Sequence, residues 1–329
     1  MRAPDFWRSG ARTPWPALLA PLGAAYGGLG RLRGRLTTAK RAPAAVVCIG
    51  NLVAGGAGKT PVALALAGHL AGTGKAVHFL TRGYGGRLRG PARVDPGRHD
   101  AGDVGDEALL LARAAPTWVA RDRAAGALAA AAAGAEIVVM DDGHQNPTLI
   151  KDVSLVVVDA AYGVGNGRLI PAGPLREPVA RGLARADAVV LIGDGPPEAT
   201  KAVRTAAADM TVLRAQLVPG PGAAGYADRD VVAFAGIARP EKFFATLGAV
   251  GARLIATYAF ADHHRYDATE IMALVEEATL ARAHLVTTEK DAVRLPAEAR
   301  DMVEILPVTA EFADPALLGR VLAPVLGDG

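Results

Sequence analysis

The sequence predicts a doubly wound α/β fold built on a parallel sheet. Three observations carry this expectation. From residue 44 onward short β-branched runs alternate with alanine-rich helical stretches, a glycine-rich turn follows the first run, and polar residues collect just after each run. Alternating strands and helices form parallel sheets covered on both faces, and such sheets gather ligands outside the carboxyl ends of their strands. A chain of 329 residues, 51% hydrophobic and 21% charged, is globular and long enough for two compact units.

The first element, over residues 1–38, is apolar and then basic. Eighteen uncharged residues lie between Arg12 and Arg31, followed by Arg31, Arg33, Arg35, Lys40 and Arg41. Trp15, Leu18, Leu19, Leu22, Tyr26 and Leu29 share one face at helical spacing. A straight helix of that length would span about 27 Å at 1.5 Å per residue, near the hydrocarbon thickness of a bilayer. Pro14, Pro16 and Pro21 with Gly23, Gly27, Gly28 and Gly30 argue against a simple spanning helix. The expectation is a helix lying in the membrane interface, with Trp15 and Tyr26 at headgroup depth and the arginines on anionic lipid.

The nucleotide-binding unit is expected over 39–209, with strands at 44–49, 76–81, 117–120, 136–140, 153–158 and 188–192. Helices at 60–71, 105–115 and 122–133 separate them. A smaller α/β unit is expected over 210–312: a strand at 231–237, a helix opened by Pro240, a strand at 252–260, a helix capped by Asp267 and Glu270, and a strand at 284–288. Segments 211–218 and 304–311 are expected to pair as a two-stranded connector, and a helix to close the chain over 313–329.

Charge is divided unevenly. Residues 1–94 hold fourteen Lys/Arg against the single acidic residue Asp5, so the net +3 conceals a basic front and an acidic remainder. A basic front implies an anionic partner. No nucleic-acid-binding module is visible, and no protein partner is inferable. The single cysteine, Cys48, forms no internal disulfide, fits a reducing cytoplasm and reads as a small buried strand residue.

The chemistry centres on Val53-Ala54-Gly55-Gly56-Ala57-Gly58-Lys59-Thr60, placed between a strand and a helix. Glycines there let successive N–H groups close around phosphate oxygens, Lys59 would reach the β- and γ-phosphates, and the Thr60 hydroxyl would hold Mg²⁺. A further glycine usually stands where this chain has Val53, a mild departure on a backbone cradle. The run 136–140 ends in Asp141-Asp142, carboxylates able to hold magnesium beside such a loop; a strand-terminal Asp also serves as a helix cap. Gly105-Asp106-Glu107 opens a helix, where a carboxylate is either a dipole partner or a base for a hydroxyl acceptor. His263 is either a surface histidine or, across a cleft, the partner of that carboxylate.

Taken in order, the segments Gly50-Asn51, Gly55–Pro61, Arg82-Gly83-Tyr84-Gly85-Gly86, Gly105-Asp106-Glu107 and Asp141-Asp142-Gly143-His144-Gln145 resemble the signature of the tetraacyldisaccharide 4′-kinases. Gly165-Asn166-Gly167, Pro171–Glu177, Ala233–Pro240, Asp262-His263 and Thr288-Glu289-Lys290-Asp291 continue it, so the resemblance runs from the N-terminal helix to about residue 312. It implies transfer of the ATP γ-phosphate to the 4′-hydroxyl of a tetraacylated glucosamine disaccharide 1-phosphate. That is a late step of lipid A biosynthesis at the cytoplasmic face of the Gram-negative inner membrane, with ATP and Mg²⁺ as cofactors. It further implies Lys59 and Thr60 at the phosphates and magnesium, Glu107, Asp141 and Asp142 around the metal, Asp106 as base and His263 as its partner. Tyr84, Arg123, Gln145 and Arg176 would contact substrate or nucleotide. Ala57 and His144 depart from the more usual Thr or Ser and Phe, and a titrating His144 beside the metal carboxylates would alter pH behaviour. A membrane-associated nucleotide-switch ATPase shares the Gly-Gly-x-Gly-Lys-Thr loop but typically carries a lysine where this chain has Ala54.

Overall fold

The computed structural model describes residues 4–10 and 13–327; residues 1–3, 11, 12, 328 and 329 of the expected terminal segments lie outside the described residues. The strands are β1 (Ala45–Gly50), β2 (Val77–Thr81), β3 (Ala92–Arg93), β4 (Thr117–Val119), β5 (Ile137–Asp141), β6 (Val153–Asp159), β7 (Ala188–Ile192) and β8 (Thr211–Pro219). After them come β9 (Asp230–Ala235), β10 (Arg253–Ala259), β11 (His284–Thr288), β12 (Glu304–Leu306) and β13 (Val308–Phe312). The helices of the first half are α1 (Trp15–Leu18), α2 (Ala20–Leu36), α3 (Lys59–Ala71), α4 (Ala101–Val104), α5 (Asp106–Ala112), α6 (Arg123–Ala132), α7 (Val179–Leu183) and α8 (Pro197–Ala206). Then follow α9 (Pro240–Ala249), α10 (Ala268–Leu280), α11 (Glu289–Ala292) and α12 (Pro315–Leu326).

Among the described residues, nine strands form the large sheet in the order β13-β8-β7-β6-β1-β5-β2-β4-β3, and four form the small one, β10-β9-β11-β12. Both are parallel apart from β3 against β4 and β13 against β8 at the edges of the large sheet. Strands β5 and β6 are buried along their whole length, as a sheet with helices on both faces requires. One face packs on α3, α5 and α12 through Leu66, Leu111 and Leu322; the other meets the alanines of α6. The chain enters at β1 in the middle, runs outward through β2 to β3 and β4, returns to β5 beside β1, and then crosses to β6, β7 and β8 on the other side. The carboxyl ends of β1, β5 and β6 therefore meet at the switch point where ligands bind.

The segments 211–219 and 308–312 do pair antiparallel, but not as a free connector. Strand β8 also ladders in parallel with β7, so both belong to the edge of the large sheet. The expected single strand over 304–311 is broken at Pro307, which has no N–H to donate. Glu304–Leu306 falls to the small sheet beside β11, and Val308–Phe312 to the large one. Helix α10 starts with the capping box of Asp267 and Glu270, and Pro240 opens α9.

Helix α2 turns Gly23 and Gly27 inward. Gly23 is buried, and a Cβ on Gly23 or Gly27 would stand 3.1 Å from the Leu169 carbonyl oxygen or 2.7 Å from the Leu169 Cδ1. Trp15, Leu18, Leu22, Tyr26, Leu29, Leu32 and Leu36 are exposed. The polarity is the inverse of a helix that packs its apolar stripe on its own protein. Among the described residues, no helix is long and apolar enough to cross a membrane.

Helix α12, set down by the sequence as a separate terminal element, instead completes the core of the large sheet through Leu318, Leu322 and Val325. Leu322→Ala should therefore cost about 2–5 kcal/mol of stability, the range for a fully buried leucine. Urea unfolding of the variant measures it; a loss below about 1 kcal/mol would show that α12 is only laid on the surface.

Candidate active site

The loop Val53–Gly58 leaves the carboxyl end of β1 and delivers Lys59 as the first residue of α3. Gly58 stands at φ +81, and a Cβ there would also press on the Ile192 side chain, so the position demands glycine. The loop is braced from one side: the Ala54 N–H donates to the Pro174 carbonyl (2.8 Å), the Arg176 N–H to the Leu52 carbonyl (2.8 Å), and Val53 bridges Leu175. From the other side the Arg239 guanidinium of the small unit donates to the Gly56 carbonyl at 2.9 Å. Ala57 is buried in the core under α3, so its lack of a hydroxyl leaves the cradle intact.

Strand β5 lies beside β1, with Asp141 opposite Ile49, and so brings Asp141 and Asp142 next to the loop. Their surroundings differ. Asp142, at φ +51, accepts two hydrogen bonds from the Arg176 Nη1 at 2.9 and 3.1 Å and lies 3.5 Å from the Lys59 Nζ. Burial pushes its carboxyl up, but Lys59 and Arg176 outweigh burial and hold it below the usual range. Asp141 is buried, and its Oδ1 has no hydrogen-bond partner. Burial pushes Asp141 up to about 7 against the pull of Lys59. An unpartnered carboxylate oxygen with a second carboxylate next to it in the chain offers oxygen donors, which suit a hard cation such as Mg²⁺.

A second cluster forms where the two units meet. Gly105 at φ +86 caps α5, and a Cβ there would run into the Tyr84 carbonyl; the tight turn directs Asp106 inward. Asp106 is 4% exposed. Its Oδ2 lies 2.9 Å from the His263 Nδ1 and 3.5 Å from the Arg294 Nε, and its Oδ1 accepts the Glu107 N–H at 3.0 Å. Burial raises the Asp106 carboxyl, yet His263, Lys290 and Arg294 together hold it well below the usual range. The Asp106 hydrogen bond in turn raises His263, so the histidine favours its protonated form more than a free imidazole does. Glu107 is paired with the Lys290 Nζ at 2.9 Å. Asp106, Glu107 and His263 are the group close enough to share one ion among the described residues.

The residues singled out by sequence thus fall into two adjoining clusters. Lys59, Asp141, Asp142, Arg176 and Gln145 gather at the loop, with the Gln145 Nε2 donating to the Asn51 carbonyl (2.9 Å) and to Glu177 (3.0 Å). Asp106, Glu107 and His263 gather at the cleft, with the exposed Tyr84 ring 5.6 Å from the His263 ring. Thr60 follows Lys59 in the first turn of α3. Arg123 is buried, its guanidinium turned onto the Ala120 carbonyl, and burial lowers it to about 10. Arg294, Lys290 and Arg239 escaped the sequence reading as site residues. The only signal for them was the motifs Thr288–Asp291 and Ala233–Pro240 that contain or adjoin them.

The expectation for His144 is corrected. It does not titrate beside Asp141 and Asp142: the left-handed turn at Asp142 sends it to the other side, fully buried between the Ser154 Oγ (3.0 Å) and the Gly182 carbonyl (2.9 Å). Only a ring N–H satisfies a carbonyl, so Nε2 carries the proton and Nδ1 accepts from Ser154. Burial lowers its pKa to about 4, and the ring stays neutral.

The family model described as Tetraacyldisaccharide-1-P 4′-kinase matches residues 15–326. The tetraacyldisaccharide 4′-kinase of Rhodospirillum centenum is 54% identical, covering 99% of this chain and 97% of the relative. That of Methylobacterium nodulans is 55% identical over the same shares. Among solved structures, LpxK from Aquifex aeolicus in complex with ATP superposes with a TM-score of 0.73, covering 94% of this chain and 99% of its own; at 23% identity it supports the fold.

The buried neutral His144 carries a pH dependence of stability. In the unfolded chain its pKa is near 6.5, so the unfolded state binds more protons between pH 6.5 and about 4. Stability present above pH 6.5 is lost as the pH falls through that window, by about 3 kcal/mol in all. His144→Phe leaves the Gly182 carbonyl unpaired and should cost about 1–2 kcal/mol at pH 8. It should also flatten the acid loss; urea melts at pH 5 and 8 that keep the original slope would remove the assignment.

Proposed function

The chain belongs to the Tetraacyldisaccharide-1-P 4′-kinase family, and on that premise we propose that Asp106 and His263 act as one unit that accepts the proton of the attacking hydroxyl. The reaction is transfer of the γ-phosphate of ATP to the 4′-hydroxyl of a tetraacylated disaccharide 1-phosphate, a step of lipid A biosynthesis. A nucleotide-switch ATPase is not favoured. In our reading residues 39–209 with the returning β13 and α12 form the nucleotide unit, and 210–312 otherwise form the smaller one.

The observation that carries the mechanism is the 2.9 Å contact between His263 of the small unit and the buried Asp106 of the large one. The acceptor oxygen attacks the γ-phosphorus, the bond to the β-phosphate oxygen breaks, ADP leaves, and the hydroxyl proton passes to the pair. Asp106 alone would be a weak base, because its cations hold its carboxyl low. Shared with His263, the proton rests where the raised imidazole favours it. A neutral His263 is the proton-accepting form of the pair, and the Asp106 hydrogen bond that raises the imidazole favours the protonated form it becomes. Lys59 places a positive charge at the transferring phosphate. Thr60, Asp141 and Asp142, with Glu107 beside them, would hold magnesium, which when bound neutralises charge on the β- and γ-phosphates. Arg176 and Gln145 line the loop side of the cleft and Tyr84 its mouth, where we place the substrate. Arg123, facing inward, would support the Asp141–Asp142 turn electrostatically.

We further propose that α1 and α2 lie in an anionic membrane surface at the cytoplasmic face of the inner membrane. The support is the exposed apolar stripe from Trp15 to Leu36 beside exposed Arg31, Arg33 and Arg35, on a helix whose glycine face is already docked. The substrate is itself lipid, so a surface that meets the bilayer shortens its path to the cleft.

Asp106→Asn and His263→Ala should each slow turnover by about 10²–10⁴-fold, and the double variant should lose less than the product of the two. Turnover should rise with pH through the raised His263 pKa, and Asp106→Asn should move that limb to lower pH. Fully multiplicative losses with an unmoved limb would separate the two residues. For the membrane reading, Leu18, Leu22 and Leu29 changed together to Ser should weaken binding to anionic vesicles by at least about tenfold, given about 1.5–3 kcal/mol per buried leucine. Their exposure predicts unchanged folding and ATP affinity; equal vesicle binding would exclude the stripe as the contact.

A further inference from the structure

We propose that Arg294 is the positioning residue of the Asp106–His263 pair, one guanidinium that fixes both the histidine loop and the carboxylate it meets. The motif Thr288–Asp291 starts at the end of β11 in the small unit with Arg294 just after it, and the reaction as described uses Arg294 only as one of the cations around Asp106. Yet Arg294 is 9% exposed overall, with its side chain at 3%, and it makes a contact in every direction. Its Nη1 donates to the His264 carbonyl (3.0 Å), its Nη2 to the Gly236 carbonyl (3.0 Å) and Asp291 (2.8 Å), and its Nε to the Lys290 carbonyl (3.1 Å). The same Nε stands 3.5 Å from the Asp106 Oδ2, the oxygen that His263 contacts.

These contacts converge on His263 by short routes. The His263 N–H hangs from the Gly236 carbonyl at 3.1 Å, so the histidine and Arg294 share one acceptor, and the next residue is tied to Arg294 through its carbonyl. His263 itself adopts φ +59, a left-handed conformation that a non-glycine residue keeps only when its surroundings hold it there. Behind the arginine, the fully buried Asp291 receives the Gly236 N–H (2.8 Å), the Tyr266 hydroxyl (2.7 Å) and the Thr288 hydroxyl (2.5 Å). A planar fork with donors in fixed directions can span two loops and two carboxylates; a lysine ammonium cannot. Burying such a cation is costly unless it is fully paired, and one of its anionic partners is supplied by the other unit.

The inference rests on the reading of Asp106–His263 as proton acceptor, and the test separates the two. In the full-length chain, Arg294→Lys keeps the charge and loses the fork. It should lower kcat by about tenfold or more while leaving KM for MgATP within about twofold, since about 1 Å of misplacement at the reacting groups suffices for such a loss. Placed on His263→Ala, the same change should cost less than about twofold further, because the group it positions is gone. A purely structural arginine would lower the melting temperature and slow both backgrounds equally, and that result overturns the proposal. A His263→Ala enzyme with normal turnover would instead sink the acceptor reading itself. Should Arg294→Lys not fold, Tyr266→Phe, which removes one bond behind Asp291, should give the same pattern at smaller amplitude. A folded Tyr266→Phe enzyme with unchanged kcat would then count against Arg294.

Discussion

An ionised carboxylate held almost entirely out of water must be met by cations, and Asp106 finds all of its own in the other unit of the chain. His263, Lys290 and Arg294 belong to the small unit, while Asp106 opens a helix of the large one. The same holds at the other lip of the cleft. Asp159 at the end of β6 caps the turn to Ala161 with one oxygen, and its second takes Lys242 (2.5 Å) and Arg239 from α9. Two buried anions of the large unit, each met by cations of the small one, make the contact between the units a condition of their ionisation. The Asp106–His263 contact is therefore a property of the interface and of neither unit alone.

Asp141 and Asp142 show the opposite solution side by side. Adjacent in sequence, they are driven apart by surroundings: Lys59 and Arg176 stabilise the charge on one, whereas burial opposes it on the other. The left-handed backbone at Asp142 accompanies the difference: that side chain meets Arg176, while Asp141 stays in β5 opposite Ile49, buried and with one oxygen unpartnered. Tunable acidity at such a place is what a nucleotide–metal site requires, since a bound cation favours the ionised form that burial resists.

What could be read from the sequence was what is local. Six strands of the large sheet, the loop from Val53 to Thr60, the caps at Pro240 and Asp267 and the strand-end carboxylates all follow from residues within a few positions of one another; β3, of two residues, and the membership of β8 and β13 do not. The pairing of Asp106 with His263 spans 157 residues and came through resemblance to a family. Arg294 was invisible for the same reason, since its meaning depends on which loops lie around it. His144 misled because sequence adjacency to Asp142 suggested spatial adjacency, and one positive φ undoes that. The apolar face of α2 was found by its spacing, but spacing does not say which side faces the protein; the glycines opposite it do, through their close approach to Leu169.

The chain passes between the two sheets twice, between Pro219 and Asp230 and again around Pro307, and both passages leave from β8 and β13, partners in one ladder where Val308 faces Pro219. A body fastened to another along a single edge keeps one swing and loses sliding, as a door does on paired hinges. Any swing that parts Asp106 from His263 then also parts Asp159 from Arg239 and Lys242, and draws Arg239 off the Gly56 carbonyl. Opening along that edge would therefore undo the Asp106–His263 contact, both cation contacts of Asp159 and the brace on Gly56 together, and none of them singly.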